Sequence, residues 1–299
     1  MPGKKYTWLK DYSAPTYQQE CVSLEFFLSP RLTTLKSKLF FKPYKGRQSD
    51  LVLCGEDIRL NYLKINGRKI ENKKVIFKRG LLIIPQDLLG SGDFHLEMEN
   101  DLNPETNKSL EGLYLSDGVL VTQCEAEGFR KICYCLDRPD VLSRYRVKIH
   151  GSYNHLLSNG NPVKISKNYS EWYDPVPKPS YLFALVAGDL VFEEGEFRTT
   201  TGRKITIRVF HKKEHLGKTS HALNCIKRAM AWDEVNYGRE YDLDIFMVVA
   251  IDDFNAGAME NKGLNIFNSK YIFYDEALST DADYKLIEAI IAHEYFHNW

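Results

Sequence analysis

Residues 293–297 read His-Glu-Tyr-Phe-His, two imidazoles enclosing a carboxylate in the pattern H-E-x-x-H. On a helix, His293 and His297 lie about 40° apart around the axis, so both rings can reach one ion. Glu294 points elsewhere on the same side, where it can move a proton beside that ion without being a ligand. The set suits metal-assisted hydrolysis: zinc lowers the pKa of water towards roughly 7, and a glutamate takes and returns the proton. Leu286, Ile287, Ile290 and Ile291 precede the motif at helical spacing. The pattern predicts a helix over 281–299, started near Asp281 or Asp283, whose chemistry continues a buried face. Two His and a Glu on such a face need a strong reason, because unpaired buried polar groups are costly, and a metal supplies it.

The elements that must hold this helix read as two regions. Up to about residue 190 the chain is a series of short apolar or alternating segments: 21–28, 51–53, 62–65, 75–77, 81–84 and 144–150. Asn66-Gly67, Arg79-Gly80 and Gly90-Ser91-Gly92 punctuate them, and strong amphipathic helices are missing before about residue 215. This predicts an N-terminal antiparallel β domain over 1–190, built of saddle- or sandwich-like sheets. The Pro-rich stretch 174–179 is followed by an apolar run, 181–187, read as a strand, and by a second alternating strand over 203–210. From Thr219 the period becomes helical, with Ser220 as N-cap and Gly238 as the stop. A strand over 241–251 and the motif helix complete a second region, 191–299. The fold class expected is α+β.

Composition narrows the function. The 299 residues carry 40 basic and 40 acidic side chains, so no global charge favours nucleic acid or an anionic membrane. The N-terminal segment has lysines but no apolar run after them, and no apolar run is long enough to span a bilayer. Six cysteines are thinly spread, and Cys133 and Cys135 form C-x-C, not C-x-x-C. Reduced thiols in a cytoplasmic protein are the expectation.

Residues 255–268 read NAGAMENKGLNIFN, directly after the apolar strand. By pattern alone, Glu260 is a solvated turn carboxylate. However, Gly257-Ala258-Met259-Glu260-Asn261, followed about thirty residues later by H-E-x-x-H, resembles the zinc aminopeptidases of the aminopeptidase N family. The likeness extends to TQCEAEGFR at 122–130, LDRPD at 136–140, DPVPKPSYLFALVAG at 174–188, YDLD at 241–244 and NSKY at 268–271, all similar to the bacterial type. The resemblance implies that 191–299 is the first part of a thermolysin-like α/β catalytic domain. It implies one zinc held by His293 and His297, Glu294 as the catalytic base and acid, and peptide substrates with a free N-terminus. In that family the GAMEN segment is an edge strand that pairs with the substrate backbone. Glu260 then faces the substrate α-amine, with Glu125 as the second carboxylate on that amine and Gln123 nearby. A carboxylate at the closed end of a cleft makes physical sense, because a buried ammonium needs an opposite charge.

The family's third zinc ligand, a glutamate roughly eighteen residues past the second histidine, has no counterpart before Trp299. Neither Gly nor Pro closes the motif helix, so interruption of a longer protein is expected. Three readings follow: a zinc aminopeptidase lacking its third ligand in this chain, a zinc endopeptidase, and a catalytically inactive fragment or peptide-binding pseudo-enzyme. Ala256 falls where the family lines the pocket for the first substrate side chain, and some relatives carry a larger residue. A roomier pocket is expected. Replacing Ala256 with Met should lower cleavage of bulky N-terminal residues relative to small ones; an unchanged ratio would refute this.

Overall fold

Period-two burial builds the first half of the molecule. The structure, a computed structural model, describes residues 8–44 and 49–299. The first seven residues of the segment read for a secretory signal lie outside the described residues. In Tyr17–Phe27 the side chains of Val22, Leu24 and Phe26 turn inward, and in Thr33–Pro43 those of Leu35, Leu39 and Phe41 do so. Between them Lys36 and Lys38 face out, the alternation of a half-buried sheet. These two strands are central in an eight-stranded sheet ordered Asn161–Ser166, Tyr169–Lys178, Ser143–His150, Tyr17–Phe27, Thr33–Pro43, Phe94–Leu102, Arg59–Ile65, Arg68–Ile70. All neighbours are antiparallel except Tyr17–Phe27 with Ser143–His150. That one pair is parallel because a long excursion through other strands separates its members, a connection that local pattern does not reveal. A four-stranded antiparallel sheet (His155–Ser158, Leu185–Gly188, Val119–Gln123, Gly112–Ser116) and a three-stranded one (Leu51–Cys54, Leu81–Ile84, Ile76–Lys78) complete this β domain among the described residues.

The second half centres on a mixed sheet ordered Val191–Arg198, Lys204–His211, Ile245–Ile251, Leu264–Asn268, Ala258–Met259. Its central strand, Ile245–Ile251, is buried at all seven positions. A strand apolar on both faces needs cover on both. Ile245, Met247, Val249 and Ile251 join the core of the β domain. Phe246, Val248 and Ala250 face the helices Ser220–Tyr237 and Asp281–Phe296. The sheet is therefore sandwiched, with the motif helix on the side away from the β domain.

Local departures from the sequence pattern have identifiable causes. Residues 180–182 form a 3-10 turn, and the strand begins only at Leu185. Pro179 fixes the backbone ahead of the turn, and Asp137 takes the Ser180 hydroxyl at 2.5 Å. Tyr241 and Leu243 are buried but precede the strand, because the Arg203 guanidinium takes both their carbonyls. Ser220 is the first helical residue, not the cap, and its hydroxyl donates to Glu193. Gly238 ends that helix in the left-handed region, φ 62°. The motif helix starts at a capping box, with Thr280 and Asp283 exchanging side-chain and backbone hydrogen bonds.

Phe246 joins the sheet to the motif helix, its ring edge-on to Tyr241 at 5.4 Å and to Tyr295 at 5.6 Å. Phe246→Ala should cost about 3–5 kcal/mol in urea denaturation. A loss under about 1 kcal/mol would show that the helix is not held by this contact.

Candidate metal and substrate site

The motif helix sorts its residues by direction. Ile287, Ile291 and Tyr295, spaced at four, point into the core, and Glu294 is buried beside them. His293 and His297 are exposed, as is Leu286. The expectation that both histidines share the buried face is corrected: they lie on the flank of the helix. The reason is geometric. Tyr295, two residues from each histidine, is the side chain turned onto the sheet, and a two-residue step on a helix turns the direction by about 200°.

The two Nε2 atoms are 3.1 Å apart, with the rings crossed at 74°. Two nitrogens each about 2.0–2.1 Å from one zinc in tetrahedral geometry lie about 3.3–3.4 Å apart. The pair fits one ion. Among the described residues His293, Glu294 and His297 are the side chains grouped for a metal, their ligating atoms within 4.8 Å of one another.

Glu260 approaches from the sheet. Ala258–Met259 is the terminal strand, paired antiparallel to Leu264–Asn268 through Ala258–Phe267 and Met259–Ile266. Among the described residues no strand pairs with its other edge. Gly257 is partly exposed, and a Cβ there would meet Tyr271 only at ordinary contact distance, so space does not demand glycine. Ala256 is exposed, Met259 is fully buried, and Asn261 is buried with both side-chain amide atoms unpartnered. Glu260 follows the strand with its Oε1 4.0 Å from His297 Nδ1.

Glu125 comes from the β domain, in the loop after Val119–Gln123. Gly128 closes that loop, its N–H donating to the Cys124 carbonyl, and a Cβ there would lie 2.4 Å from the Gln123 carbonyl oxygen. Glu125 is exposed; Gln123 is buried, with Oε1 unpartnered. The carboxyl of Glu125 is raised above its ordinary pKa by burial and by the Glu260 charge, against a lowering from His297. Glu294 is pushed up to about 7 by burial first, then by Glu260 and Glu125. The Glu260 charge thus reaches Glu125, 135 positions before it, and Glu294, 34 positions after it.

Tyr181 belongs to the same neighbourhood and was not singled out by sequence. Burial, then Glu260 and Glu125, raise its phenol. Its run had the look of a strand, and no local signal marks it. The loop ahead of the GAMEN segment is also tied to the β domain in ways the sequence did not disclose. Lys212 pairs with Asp117 and Asp252, while Asp253 accepts from the Ser116 hydroxyl and from Tyr114.

A mixed sheet carrying a capped helix with paired imidazoles and a buried carboxylate defines an architecture of the metallopeptidase class. The peptidase M1 N-terminal domain matches residues 47–182, and the peptidase family M1 domain matches residues 221–299. The chain belongs to peptidase family M1. It is 48% identical to aminopeptidase N of Caulobacter vibrioides over 97% of its length and 34% of that protein. Against aminopeptidase N of Escherichia coli the identity is 44%, covering 100% of the chain and 34% of the relative. The crystal structure of Legionella pneumophila aminopeptidase A in complex with aspartic acid superposes with a TM-score of 0.91 at 34% identity, over 97% of this chain and 35% of that one. The chain spans about a third of the length of the curated relatives it matches.

Burial and neighbouring negative charge make Glu294 hold its proton in the folded chain at a pH where the unfolded chain has released it. Stability from this group is therefore lost as pH rises from about 4.5 towards 7, with a slope approaching ~1.4 kcal/mol per pH unit. In metal-free protein, urea titrations should show this decline, and Glu294→Gln should flatten it. Parallel pH profiles for the two proteins would contradict the assignment.

Proposed function

We propose that this chain supplies the amine-recognising and metal-binding part of a zinc aminopeptidase that releases single residues from peptide N-termini. The observation that carries the reading is a distance: Glu260 lies 4.0 Å from an imidazole of the metal motif. One extended residue spans about 3.3–3.6 Å, so an ammonium held by Glu260 leaves room for about one residue before the reacting centre. An endopeptidase has no use for two carboxylates at that place.

In this reading His293 and His297 would hold zinc. Bound zinc would act as a Lewis acid, polarising the scissile carbonyl and acidifying water. Glu294, poised near neutrality by its surroundings, takes a proton from water and returns it to the leaving amine. Glu125 and Glu260 accept hydrogen bonds from the substrate ammonium, with Gln123 beside them. The free edge of Ala258–Met259 offers backbone groups to an extended peptide, and Gly257 and Asn261 bound that edge. The division at residue 190 belongs to the same proposal; the five-stranded sheet beginning at Val191 supports it.

A second reading, peptide binding without hydrolysis, draws on the ligating group itself: among the described residues it offers two imidazoles and one carboxylate. Zinc content and turnover separate the two. The aminopeptidase reading expects zinc binding that is lost in His293→Ala, at one ion per site once a third ligand completes it, and cleavage of a free-amine dipeptide anilide abolished by N-acetylation. Glu260→Ala should reduce the preference for the free amine about tenfold or more. Equal cutting of free and acetylated substrate would overturn it in favour of an endopeptidase. Peptide affinity with neither zinc nor turnover would favour the binding chain.

A further inference from the structure

The two carboxylates assigned to the substrate amine come from different halves of the molecule. Besides the ties of Lys212 and Asp253 ahead of the GAMEN segment, a second link joins the chain just past Glu260 to the β domain. The link runs through the turn Ser180–Leu182. On one side Asp137, almost wholly buried, bridges this turn to the Glu125 loop. Its Oδ1 accepts from the Ser180 hydroxyl at 2.5 Å, and its Oδ2 accepts from Arg130 Nε at 2.9 Å. Arg130 in turn pairs with Glu127, two residues beyond Glu125, at 3.0 Å.

On the other side stands Asn159, 1% exposed, in the short link between His155–Ser158 and Asn161–Ser166. Its Nδ2 donates to the Leu182 carbonyl at 3.0 Å and to the Lys262 carbonyl at 2.8 Å, and its Oδ1 accepts from the Ala184 N–H at 2.7 Å. All three of these hydrogen bonds go to backbone groups. Lys262 is two residues past Glu260, and its carbonyl sits where the chain leaves the edge strand. The backbones close in at the same point: Gly263 is held at φ +75°, and a Cβ there would lie 3.3 Å from Gly160 N. Asn161 adds a reciprocal pair, its Nδ2 to Asp244 Oδ2 and its Oδ1 from Asp244 N.

We propose that Asn159 is a positioning residue for amine recognition, setting the Glu260 carboxylate against Glu125 by clamping the Lys262 carbonyl to the Ser180–Leu182 turn. It touches no substrate atom in this arrangement; it acts through the two backbone segments that it joins. The inference rests on the reading of Glu125 and Glu260 as the amine anchor. A side-chain amide is the fitting group, since two carbonyls and one N–H must be met at once, and no other uncharged side chain of this size has two donors and an acceptor.

The test measures binding of L-leucinamide and of N-acetyl-L-leucinamide to the 299-residue chain by ligand-observed NMR. The wild-type chain should favour the free amine about tenfold or more. Asn159→Ala should cut that preference to less than about twofold, with zinc content unchanged. Asn159→Asp, which keeps size and the acceptor for Ala184 but loses both donors, serves as the second variant should the alanine chain not fold. Ser158→Ala is the control, because Ser158 donates a buried hydrogen bond to the Ala184 carbonyl at 2.8 Å and reaches neither Lys262 nor Glu260. It should lower Tm while leaving the amine preference intact, which a merely structural role for Asn159 would also predict of Asn159→Ala. A retained preference in the Asn159 variants overturns the proposal and leaves the amine anchor standing. No preference in the wild type overturns both.

Discussion

Like charges crowded at a domain interface are the constraint on which the rest of the site depends. The charge of Glu260 raises the carboxyls of Glu125 and Glu294, the charge of Glu125 adds to the effect on Glu294, and Glu294 is buried besides. Such a cluster is unfavourable by itself; in the proposed reading cations would offset it, an ammonium beside Glu125 and Glu260 and a divalent ion beside Glu294. The fold accordingly spends much of its polar bonding holding these groups in place. Asp137, Asn159, Lys212 and Asp253 each link segments far apart in the chain.

The sheet beneath has a matching logic. Ile245–Ile251 is apolar on both faces, so it must be covered by the β domain on one and the helices on the other. One covering element brings Glu125 and Gln123; the other brings His293, Glu294 and His297. The terminal strand, Ala258–Met259, delivers Glu260 between them. Burial of a single central strand thus dictates where two independent sources of chemistry meet.

Much of this was legible in the residues. The alternation in 144–150 and 203–210, the helical period after Thr219 and the stop at Gly238 all follow from local physics. The H-E-x-x-H pair is equally local, because a helix alone places His293 near His297. What was not legible is long-range. Nothing near Glu125 announces Glu260, and only family likeness joined them. Tyr181 was hidden in a run that read as a strand, because the Pro179 turn and the Ser180–Asp137 bond override its β-rich composition. Asn159 sits in Ser-Asn-Gly-Asn, which reads as an ordinary turn; its three backbone partners lie 23, 25 and 103 positions away. The exposure of the histidines depends on which helix face meets the sheet, and Leu286 had suggested a different one.

The shared apolar cluster carries one more implication. Leu24, Phe26 and Phe183 of the β domain lie in the same continuous core as Met247, Val249, Met259 and Ile266 of the five-stranded sheet. The two regions differ in strand pattern and chain order, yet among the described residues their apolar side chains form one cluster. Neither half can loosen without exposing the other's apolar surface, so the two should melt as one cooperative unit. A rigid, undivided core of this kind keeps the Glu125 loop and the GAMEN strand from drifting as independent bodies, and leaves ligand-dependent movement to the surface loops.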